Sequence, residues 1–544
     1  MLPFLLLITT LGATAAPVIT GWQNNYSFNL PGTPSYAVAQ GAILVIYGSG
    51  MAPAGVLSQS FDPALNRNLG GVSIKITAGP TTTEAIPYYV SPTQIAAILP
   101  SATPVGNATM TVSYNGATSA PFALTVTQSA VGLLTLNGAG NGAAAVYDAN
   151  YQYIGIRNAA NPGQTVIFWG TGNGPDANDE TRLITLPKSS ATGNFEFYIG
   201  NKLATVAYHG RSSYPGLDQF NVVIPDGVSG CYVSAFVRTG TTVSNFVTIP
   251  VAQNGRTCSD VTGFGADEID KLPTSGSINS ATLYLGRYDG RIPAATVAGT
   301  PIAASTTLTD NAVVSLLRYS PFDYSNYGGI GTSSVGSCIV SSYRPSAIAG
   351  PTILKYLDAG AVSLQVPDGT TKAFTKGTNS YFLNGSKAEN TLFLAEGGGS
   401  YRISATGGTD VGPFAVALNG SPALNWTNRD SIANVSRSQS LDLTWTGGAT
   451  GGFVVITGSS ILSAVTDPVV TIFNCTELVS AGHFTIPQAV LSAMVPSFVN
   501  PGSTIPTGNL QITNYNRLSR FSATGLDLGI TGYFSGSTTL VNYQ

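Results

Sequence analysis

The sequence predicts an all-β protein, with two tandem β-sandwich domains followed by further β modules. Three observations support this prediction: a long part of the chain is repeated, short runs alternate between apolar and polar residues, and no stretch over about ten residues keeps a helical period. Glycine is frequent, with 63 residues in a chain of 544, as expected where many short strands are joined by turns. The length allows roughly three to five domains of about 100–200 residues each.

The repeat defines the first two domains. Its segments return in the same order along the chain, which indicates a duplicated domain rather than chance similarity. The repeating unit is too long for a solenoid and fits a small sandwich domain. The matching pairs are Gln40–Gly50 with Pro162–Gly172, Gln94–Pro100 with Gln219–Pro225, and Ser119–Phe122 with Ser244–Val247.

Local patterns place the strands of the first sandwich, at residues 26–127. Met110, Val112 and Tyr114 occupy alternate positions of one run, which is typical of a strand with one solvated face. The dipeptide Asn115-Gly116 follows this run and precedes another. It is a strong signal for a tight hairpin.

The rest of the chain reads in the same way. We place the second sandwich at residues 143–256 and a polar linker at 257–280. A β region at 281–349 and a C-terminal β region at 350–544 follow. In the last region, Leu441–Trp445 again alternates between apolar and polar residues, which predicts a half-buried strand.

Composition and charge limit the possible partners. Charged residues make up 9% of the chain and the net charge is −3. Because there is no basic patch to follow a phosphate backbone, we do not expect a nucleic-acid partner. A hydrophobic fraction of 43% argues against disorder.

The N-terminus predicts export. Phe4–Leu11 is a short apolar run, and Ala13–Ala15 supplies the small residues that a signal peptidase requires. We therefore interpret residues 1–15 as a signal peptide, although Met1–Pro3 carries no Lys or Arg. No later segment reaches about 18 apolar residues, so no transmembrane helix is expected. These features predict a secreted or cell-surface protein.

The four cysteines are expected to form two disulfides. Exported proteins meet an oxidising compartment, where disulfides persist. Four cysteines allow three pairings; we favour Cys231 with Cys258 and Cys338 with Cys475, because each pair stays within one region. Free thiols and a zinc site are the alternatives, but zinc requires closely spaced ligands and the sequence has no CxxC.

Several motifs occur in order along residues 26–256: Tyr89–Ile95, Asn158–Gly163, Gly170–Pro175, Gly216–Pro225 and Val243–Ile249. With these motifs the segment resembles a family of secreted acidobacterial proteins that carry an Ig-like Solibacter-type uncharacterised C-terminal domain. The resemblance implies an Ig-like sandwich for each repeat and an exported location. It implies no activity and no site residues, because the family is uncharacterised. Asp218 is a departure, since the family usually has an aromatic residue there.

The sequence predicts a protein without enzymatic activity. It contains two histidines, His209 and His483, and neither lies in a recognisable nucleophile motif. A secreted glycoside hydrolase with a carboxylate pair is an alternative, because the distance between two carboxylates in space is not visible in a sequence.

The densest acidic cluster is a candidate calcium site. Asp176, Asn178, Asp179 and Glu180 offer several oxygen ligands, which Ca²⁺ prefers, but their spacing is not that of an EF-hand. A solvated loop is the competing interpretation. We expect no other cofactor.

Aromatic side chains are the candidate ligand-binding residues. Trp426 and Trp445 each share a strand face with leucines, which favours core packing. The alternative is a flat platform on which sugar rings stack. Tyr147, Tyr151 and Tyr153 form a second aromatic stretch, for which we expect a role at an edge or a domain contact.

The leading functional prediction is therefore an exported structural or adhesive protein. Its sandwiches would act as spacers and as contact surfaces for extracellular polysaccharides or cell-surface proteins. Carbohydrate binding through Trp426 and Trp445 is the second prediction, and the glycoside hydrolase is the third.

Overall fold

The computed structural model describes residues 15–61, 64–177, 180–183, 194–261, 267, 276–320, 333–347, 353–463 and 465–544. Strands dominate, and the predicted all-β fold of tandem Ig-like sandwiches followed by additional β modules is confirmed. The helical segments within these residues are α1 (Gln488–Ser492) and the 3-10 turns Pro345–Ala347, Arg429–Ser431 and Val479–Ala481. Nowhere in this part of the chain is there a helix with the length and hydrophobicity that a membrane span needs. The expected signal peptide falls almost entirely outside the described residues.

The first sandwich contains eleven strands: β1 (Val18–Asn24), β2 (Val38–Ala39), β3 (Ile43–Ser49), β4 (Leu57–Ser58), β5 (Ser73–Ala78), β6 (Thr81–Glu84), β7 (Ile86–Val90), β8 (Gln94–Ile98), β9 (Gly106–Tyr114), β10 (Ala117–Thr118) and β11 (Phe122–Thr127). One sheet has the order β1-β3-β8-β7-β4 and the other β2-β11-β9-β5-β6. Trp22, Ile46 and Met110 are buried between the sheets. Asn115 and Gly116 both have positive φ, at 52° and 79°, so the predicted hairpin between β9 and β10 has the primed turn that suits strand twist.

The second sandwich contains ten strands: β12 (Gly132–Leu133), β13 (Val146–Asp148), β14 (Thr165–Thr171), β15 (Phe195–Ile199), β16 (Lys202–Leu203), β17 (Thr205–Arg211), β18 (Asp218–Val223), β19 (Gly230–Thr239), β20 (Thr242–Val243) and β21 (Val247–Val251). Its sheets have the orders β12-β14-β18-β17 and β16-β15-β19-β20. Phe168, Phe197 and Phe220 pack together in its core.

The two sandwiches repeat each other in detail. In the first, β3 pairs with β8 and sets Tyr47 opposite Gln94. In the second, β14 pairs with β18 and sets Trp169 opposite Gln219. The residues that align in the sequence repeat therefore occupy the same place in the sheet.

A pair of serines shows the same correspondence. The hydroxyl of Ser119 accepts a hydrogen bond from the backbone N–H of Val112 at 3.0 Å. The hydroxyl of Ser244 accepts the equivalent bond from Val237 at 2.9 Å. Each serine ties the start of one strand to its neighbour, which explains why the residue recurs in both copies.

The third region, residues 276–544, contains the remaining strands: β22 (Ile278–Ile292), β23 (Ala295–Val297), β24 (Thr300–Ile302), β25 (Ser305–Tyr319), β26 (Ser337–Tyr343), β27 (Ile353–Tyr356), β28 (Val362–Gln365), β29 (Thr371–Ala373), β30 (Thr375–Lys376), β31 (Tyr381–Ser386), β32 (Gly399–Ala405), β33 (Phe414–Gly420), β34 (Leu424–Trp426), β35 (Asn434–Val435), β36 (Leu441–Gly447), β37 (Phe453–Ile461), β38 (Val470–Leu478), β39 (His483–Ile486), β40 (Gly508–Tyr515), β41 (Ser519–Phe521) and β42 (Leu528–Tyr543).

One long sheet organises this region. Its main path is β26-β38-β37-β40-β42-β22-β25-β31-β30. Strands β22 and β42 pair in parallel, from Ser280 opposite Leu528 to Arg291 opposite Thr539. The segments that we separated as 281–349 and 350–544 therefore share a single sheet.

Two small sheets cover the long sheet. The sheet β29-β28-β32-β33 packs over a core that includes Leu283, Ile403 and Tyr533. The sheet β34-β36-β39 packs over a second core that includes Trp445 and Phe473. The third region is thus built from two sandwiches with one common wall.

Candidate functional site

Both expected disulfides are present. Cys231 is bonded to Cys258 and Cys338 to Cys475. The second pair joins β26 to β38, where the two cysteines lie opposite each other in register. The first pair fixes the start of the predicted linker to β19.

The two candidate tryptophans are core residues. Trp426 and Trp445 are 5% and 3% exposed and lie opposite each other on β34 and β36. The indole N–H of Trp426 donates to Asn428 Oδ1 and that of Trp445 to the Val479 carbonyl, both at 2.9 Å. Neither indole offers a ring face to solvent. The alternative of an open aromatic platform at these residues is therefore wrong, and both side chains pack in the core.

The candidate calcium cluster is only partly described, since Asn178 and Asp179 lie outside the described residues. The backbone N–H of Asp176 donates to the hydroxyl of Ser101 at 2.8 Å. The carboxylate of Glu180 accepts hydrogen bonds from the N–H of Ser101, at 2.9 Å, and from its hydroxyl. Within the described part of the chain no group of three or more His, Cys, Asp or Glu could hold a metal ion. Calcium binding at this cluster stays a prediction.

These two acidic residues belong to a buried network between the sandwiches. Arg211, at the end of β17, is 4% exposed and Asp218, at the start of β18, is 1% exposed. Nη1 of Arg211 lies 2.9 Å from Oδ1 of Asp218, and its Nε lies 3.5 Å from Oδ2 of Asp176. Because Ser101 belongs to the first sandwich and contacts Glu180, the network spans the junction.

Burial dominates the electrostatics of this network. Loss of solvation raises the pKa of Asp218 to about 6, against the opposing effects of the Arg211 charge and the Asn173 N–H. Burial also raises the pKa of Glu180, although hydrogen bonds from Ser101 oppose the shift. The junction therefore holds carboxyl groups that take up protons more readily than exposed ones.

Sequence reasoning missed this network, although a signal was present. Gln219 aligns with Gln94 in the repeat, so Asp218 aligns with Thr93. An acidic residue that appears in one copy of a duplicated strand marks a role that belongs to that copy alone. Here that role is the ion contact with Arg211.

A second junction joins the second sandwich to the third region. Nη1 of Arg238 donates to Oε1 of Gln488 at 2.7 Å, and the backbone N–H of Tyr232 donates to the hydroxyl of Ser334 at 2.9 Å. The ring of Phe236 belongs to the same buried cluster as the two core tryptophans. This junction is thus both apolar and hydrogen bonded.

The glutamines of the repeat contact side chains. Nε2 of Gln94 donates to the hydroxyl of Tyr89 at 2.6 Å, and Nε2 of Gln219 donates to Oδ1 of Asn221 at 2.9 Å. Both contacts stay within the local sheet and are structural.

The tyrosine stretch lies at the surface. Tyr151 and Tyr153 are 59% and 40% exposed, and the rings of Tyr147 and Tyr153 meet edge to face at 6.1 Å. The hairpin that carries them is held by Asp148, whose Oδ1 accepts hydrogen bonds from two backbone N–H groups.

The histidines occupy structural positions. The ring of His209 stacks on Phe195 with centroids 4.1 Å apart, and its Nδ1 lies 3.2 Å from Oδ1 of Asn173. Nδ1 of His483 lies 3.0 Å from the carbonyl of Ala481.

Two neighbouring carboxylates in the third region bear on hydrolysis. Oδ2 of Asp410 accepts a hydrogen bond from the backbone N–H of Asp358 at 3.0 Å. Lys376 contacts Asp358 and Lys355 contacts Asp410, and each lysine holds the pKa of its partner below the usual range. A glycoside hydrolase needs one carboxyl group with a raised pKa as its acid. Because the pKa is lowered at both Asp358 and Asp410, this pair has no such acid.

Comparison with known proteins identifies no family for this chain. No protein-family model and no curated protein matches the sequence, so the acidobacterial resemblance stays a prediction. One similar solved structure is Bacteroides ovatus SGBP-B, of a mixed-linkage glucan utilization locus, in complex with a mixed-linkage heptasaccharide. It is 12% identical to this chain, with 89% of this chain and 97% of that chain covered and a TM-score of 0.15. Domains 5–6 of the S-layer protein SbsC are 12% identical, with 44% and 99% covered and a TM-score of 0.15. Scores this low carry no argument for a ligand, a partner or an assembly.

Proposed function

We propose that the protein is an exported structural or adhesive protein without enzymatic activity. Its sandwiches hold a fixed arrangement and contact extracellular polymers or cell-surface proteins. The observation that carries this proposal is the closure of both junctions by buried side chains. In the first junction the buried hydroxyl of Thr171 accepts a hydrogen bond from the backbone N–H of Ile43, and in the second the ring of Phe236 is buried. Domains on open linkers move relative to one another by default, whereas buried contacts of this kind oppose such motion.

Two further observations support the proposal. Two disulfides suit an oxidising compartment outside the cytoplasm. The ionised pair Asp358 and Asp410 suits a structural loop better than acid catalysis.

Co-sedimentation tests the proposal. The chain from Ala16 onward, with both disulfides formed, is mixed with purified cell envelopes or with insoluble polysaccharides and then centrifuged. We expect the protein to leave the supernatant with at least one of these materials and to release no reducing sugar. Retention in every supernatant, or release of sugar, would overturn the proposal.

A further inference from the structure

A polar cleft opens where the small sheet β29-β28-β32-β33 meets the long sheet. Its volume is about 360 Å³. Strand β33 supplies one wall with Asn419, strand β42 supplies the other with Thr531, and the turn between β40 and β41 closes one end with Asn516 and Arg517. Strand β33 is the edge of its sheet, since its ladder partner among the described strands is β32.

A buried hydroxyl in the wall of the cleft, that of Thr531, has no hydrogen-bond partner among the described residues. This residue is 2% exposed. A buried hydroxyl without a partner is costly, and such groups normally find one. Because Thr531 lines the cleft, a molecule in the cleft can supply the missing hydrogen bond.

The neighbouring amide is already fixed in place. Nδ2 of Asn516 donates to the carbonyl of Asn419 at 2.7 Å, and its Oδ1 accepts from the hydroxyl of Ser421 at 2.7 Å. These bonds hold the turn against the β33 edge, so the position of the adjacent Arg517 backbone is set before any ligand arrives.

Two arginines give the surface its charge. Arg517 lines the cleft, and Arg402 lines an adjoining concavity of about 400 Å³. Both concavities include Ala417, which lies directly opposite Arg402 in the sheet. Neither guanidinium has an ion pair or a hydrogen bond to another described residue, whereas Arg211, Arg238 and Arg287 are all paired.

The surface between the arginines carries several polar side chains. The outward positions in register across β28, β32 and β33 are Gln365, Arg402 and Ala417, and Ser400 lies opposite Asn419 on the same face. The amides and the hydroxyl present hydrogen-bonding groups, and Ala417 adds little bulk between them. An extended ligand rich in hydroxyl groups can therefore lie across the sheet and reach Arg517.

We propose that this cleft and the adjoining face of β32 bind an acidic polysaccharide. A uronate carboxylate lies against the Arg517 guanidinium, a geometry that suits two parallel hydrogen bonds, and a ring hydroxyl bonds to Thr531. Arg402 meets a second carboxylate along the chain. The inference rests on the proposed function, because it names one class of the extracellular polymer and the surface that contacts it.

Affinity electrophoresis tests the inference with the full, disulfide-bonded chain. Gels contain alginate or polygalacturonate as acidic polymers, and dextran or a soluble β-glucan as neutral ones. We expect retardation in the acidic gels, and we expect Arg517→Gln and Arg402→Gln each to weaken it by about tenfold, the loss of one charge-assisted hydrogen-bonded contact. Arg67→Gln is the matched control, since Arg67 is exposed in the first sandwich and the change in net charge is the same.

Thr531→Val separates binding from folding. The variant removes the hydroxyl but keeps the shape, so we expect weaker retardation with an unchanged or higher melting temperature. A lower melting temperature with normal retardation would show that the hydroxyl is structural and would overturn its role.

Three other results would contradict a specific binding site in this cleft. Equal loss in Arg67→Gln and Arg517→Gln would indicate diffuse attraction and overturn the site, as would retardation in neutral gels alone. Absence of retardation in every gel, with envelope co-sedimentation intact, would overturn this inference and leave the proposed function standing.

Discussion

Asp218 shows how burial and ion pairing compete at a single residue. Its carboxyl group contacts Arg211 and accepts a hydrogen bond from the N–H of Asn173 at 2.8 Å. With 1% of the residue exposed, the lost hydration outweighs both contacts, and the pKa rises to about 6. Asp176 adds to the rise through like-charge repulsion.

The first prediction concerns pH. Between about pH 4 and 6 the folded protein holds a proton on Asp218 that the unfolded chain has released, so the residue's contribution to stability is complete at low pH and is lost as the pH rises through 6. We expect the free energy of unfolding of the wild type, relative to Asp218→Asn, to fall by roughly 2–3 kcal/mol over this interval. Urea unfolding at several pH values measures the difference.

A control isolates the effect. Asp410→Asn removes a carboxyl group whose pKa the contact with Lys355 lowers, so its contribution to stability is lost only at more acidic pH and should not fall between pH 4 and 6. If the contribution of Asp218 instead grew with pH, the attraction of Arg211 would exceed the cost of burial, and the assigned direction would be wrong.

The buried indoles lead to the second prediction. Trp445→Ala removes a side chain that is 3% exposed and leaves a large cavity, so we expect a loss of about 3–5 kcal/mol in the free energy of unfolding. Acrylamide should quench the native fluorescence of Trp426 and Trp445 only weakly. If Trp445→Ala kept normal stability but lost polysaccharide binding, the prediction of core packing would be wrong and a ligand-binding role for Trp445 would be supported.

At the scale of elements, the disulfide between Cys338 and Cys475 fixes an edge strand. Strand β26 lies at the end of the long sheet and its ladder partner there is β38. The bond closes a loop with a sequence separation of 137, compared with 27 for Cys231 and Cys258.

The third prediction compares the two bonds. In the chain-entropy account a longer loop constrains the unfolded state more, and the ratio of these loops corresponds to a difference of about 1.4 kcal/mol. We expect the double variant Cys338→Ser with Cys475→Ser to lose more stability than Cys231→Ser with Cys258→Ser. Urea unfolding followed by tryptophan fluorescence measures both, and an equal loss would contradict the loop argument.

Local elements were readable from the sequence because local physics specifies them. The hairpin at Asn115-Gly116 needs only positive φ at two residues, and the alternation around Trp445 needs only one buried face. The parallel pairing of β22 with β42 joins residues far apart in the chain, and no local pattern carries that register. The cleft at Thr531 likewise brings together β33 and β42, which are far apart in the chain.

At the scale of the whole molecule, the junctions decide whether the sandwiches act together. The hydroxyl of Thr171 accepts a hydrogen bond from the N–H of Ile43 at 2.9 Å and donates to the carbonyl of Gly216 at 2.6 Å. Ile43 belongs to the first sandwich and the other two residues to the second. One buried hydroxyl therefore joins both bodies beside the Arg211 network.

Gly216 gives the fourth prediction, since it packs directly across this junction. A Cβ atom at this position would lie 2.7 Å from Cγ1 of Ile43 and 3.1 Å from Cγ1 of Ile98. Any side chain there acts as a wedge between the sandwiches. We expect Gly216→Val to leave each sandwich folded but to open the junction, seen as a larger radius of gyration in X-ray scattering and new protease cleavage near it.

Gly163→Val controls for the backbone. Both glycines have positive φ, at 73° for Gly216 and 79° for Gly163, but a Cβ on Gly163 meets nothing within 4 Å. Both variants carry the strain of the left-handed region, about 1–2 kcal/mol, and only Gly216→Val adds the wedge. If the two variants have the same radius of gyration, the first junction is not closed by packing, and the fixed arrangement on which the proposed function depends is contradicted. If only Gly216→Val has a larger radius of gyration, packing at this one glycine holds the two sandwiches together as one body.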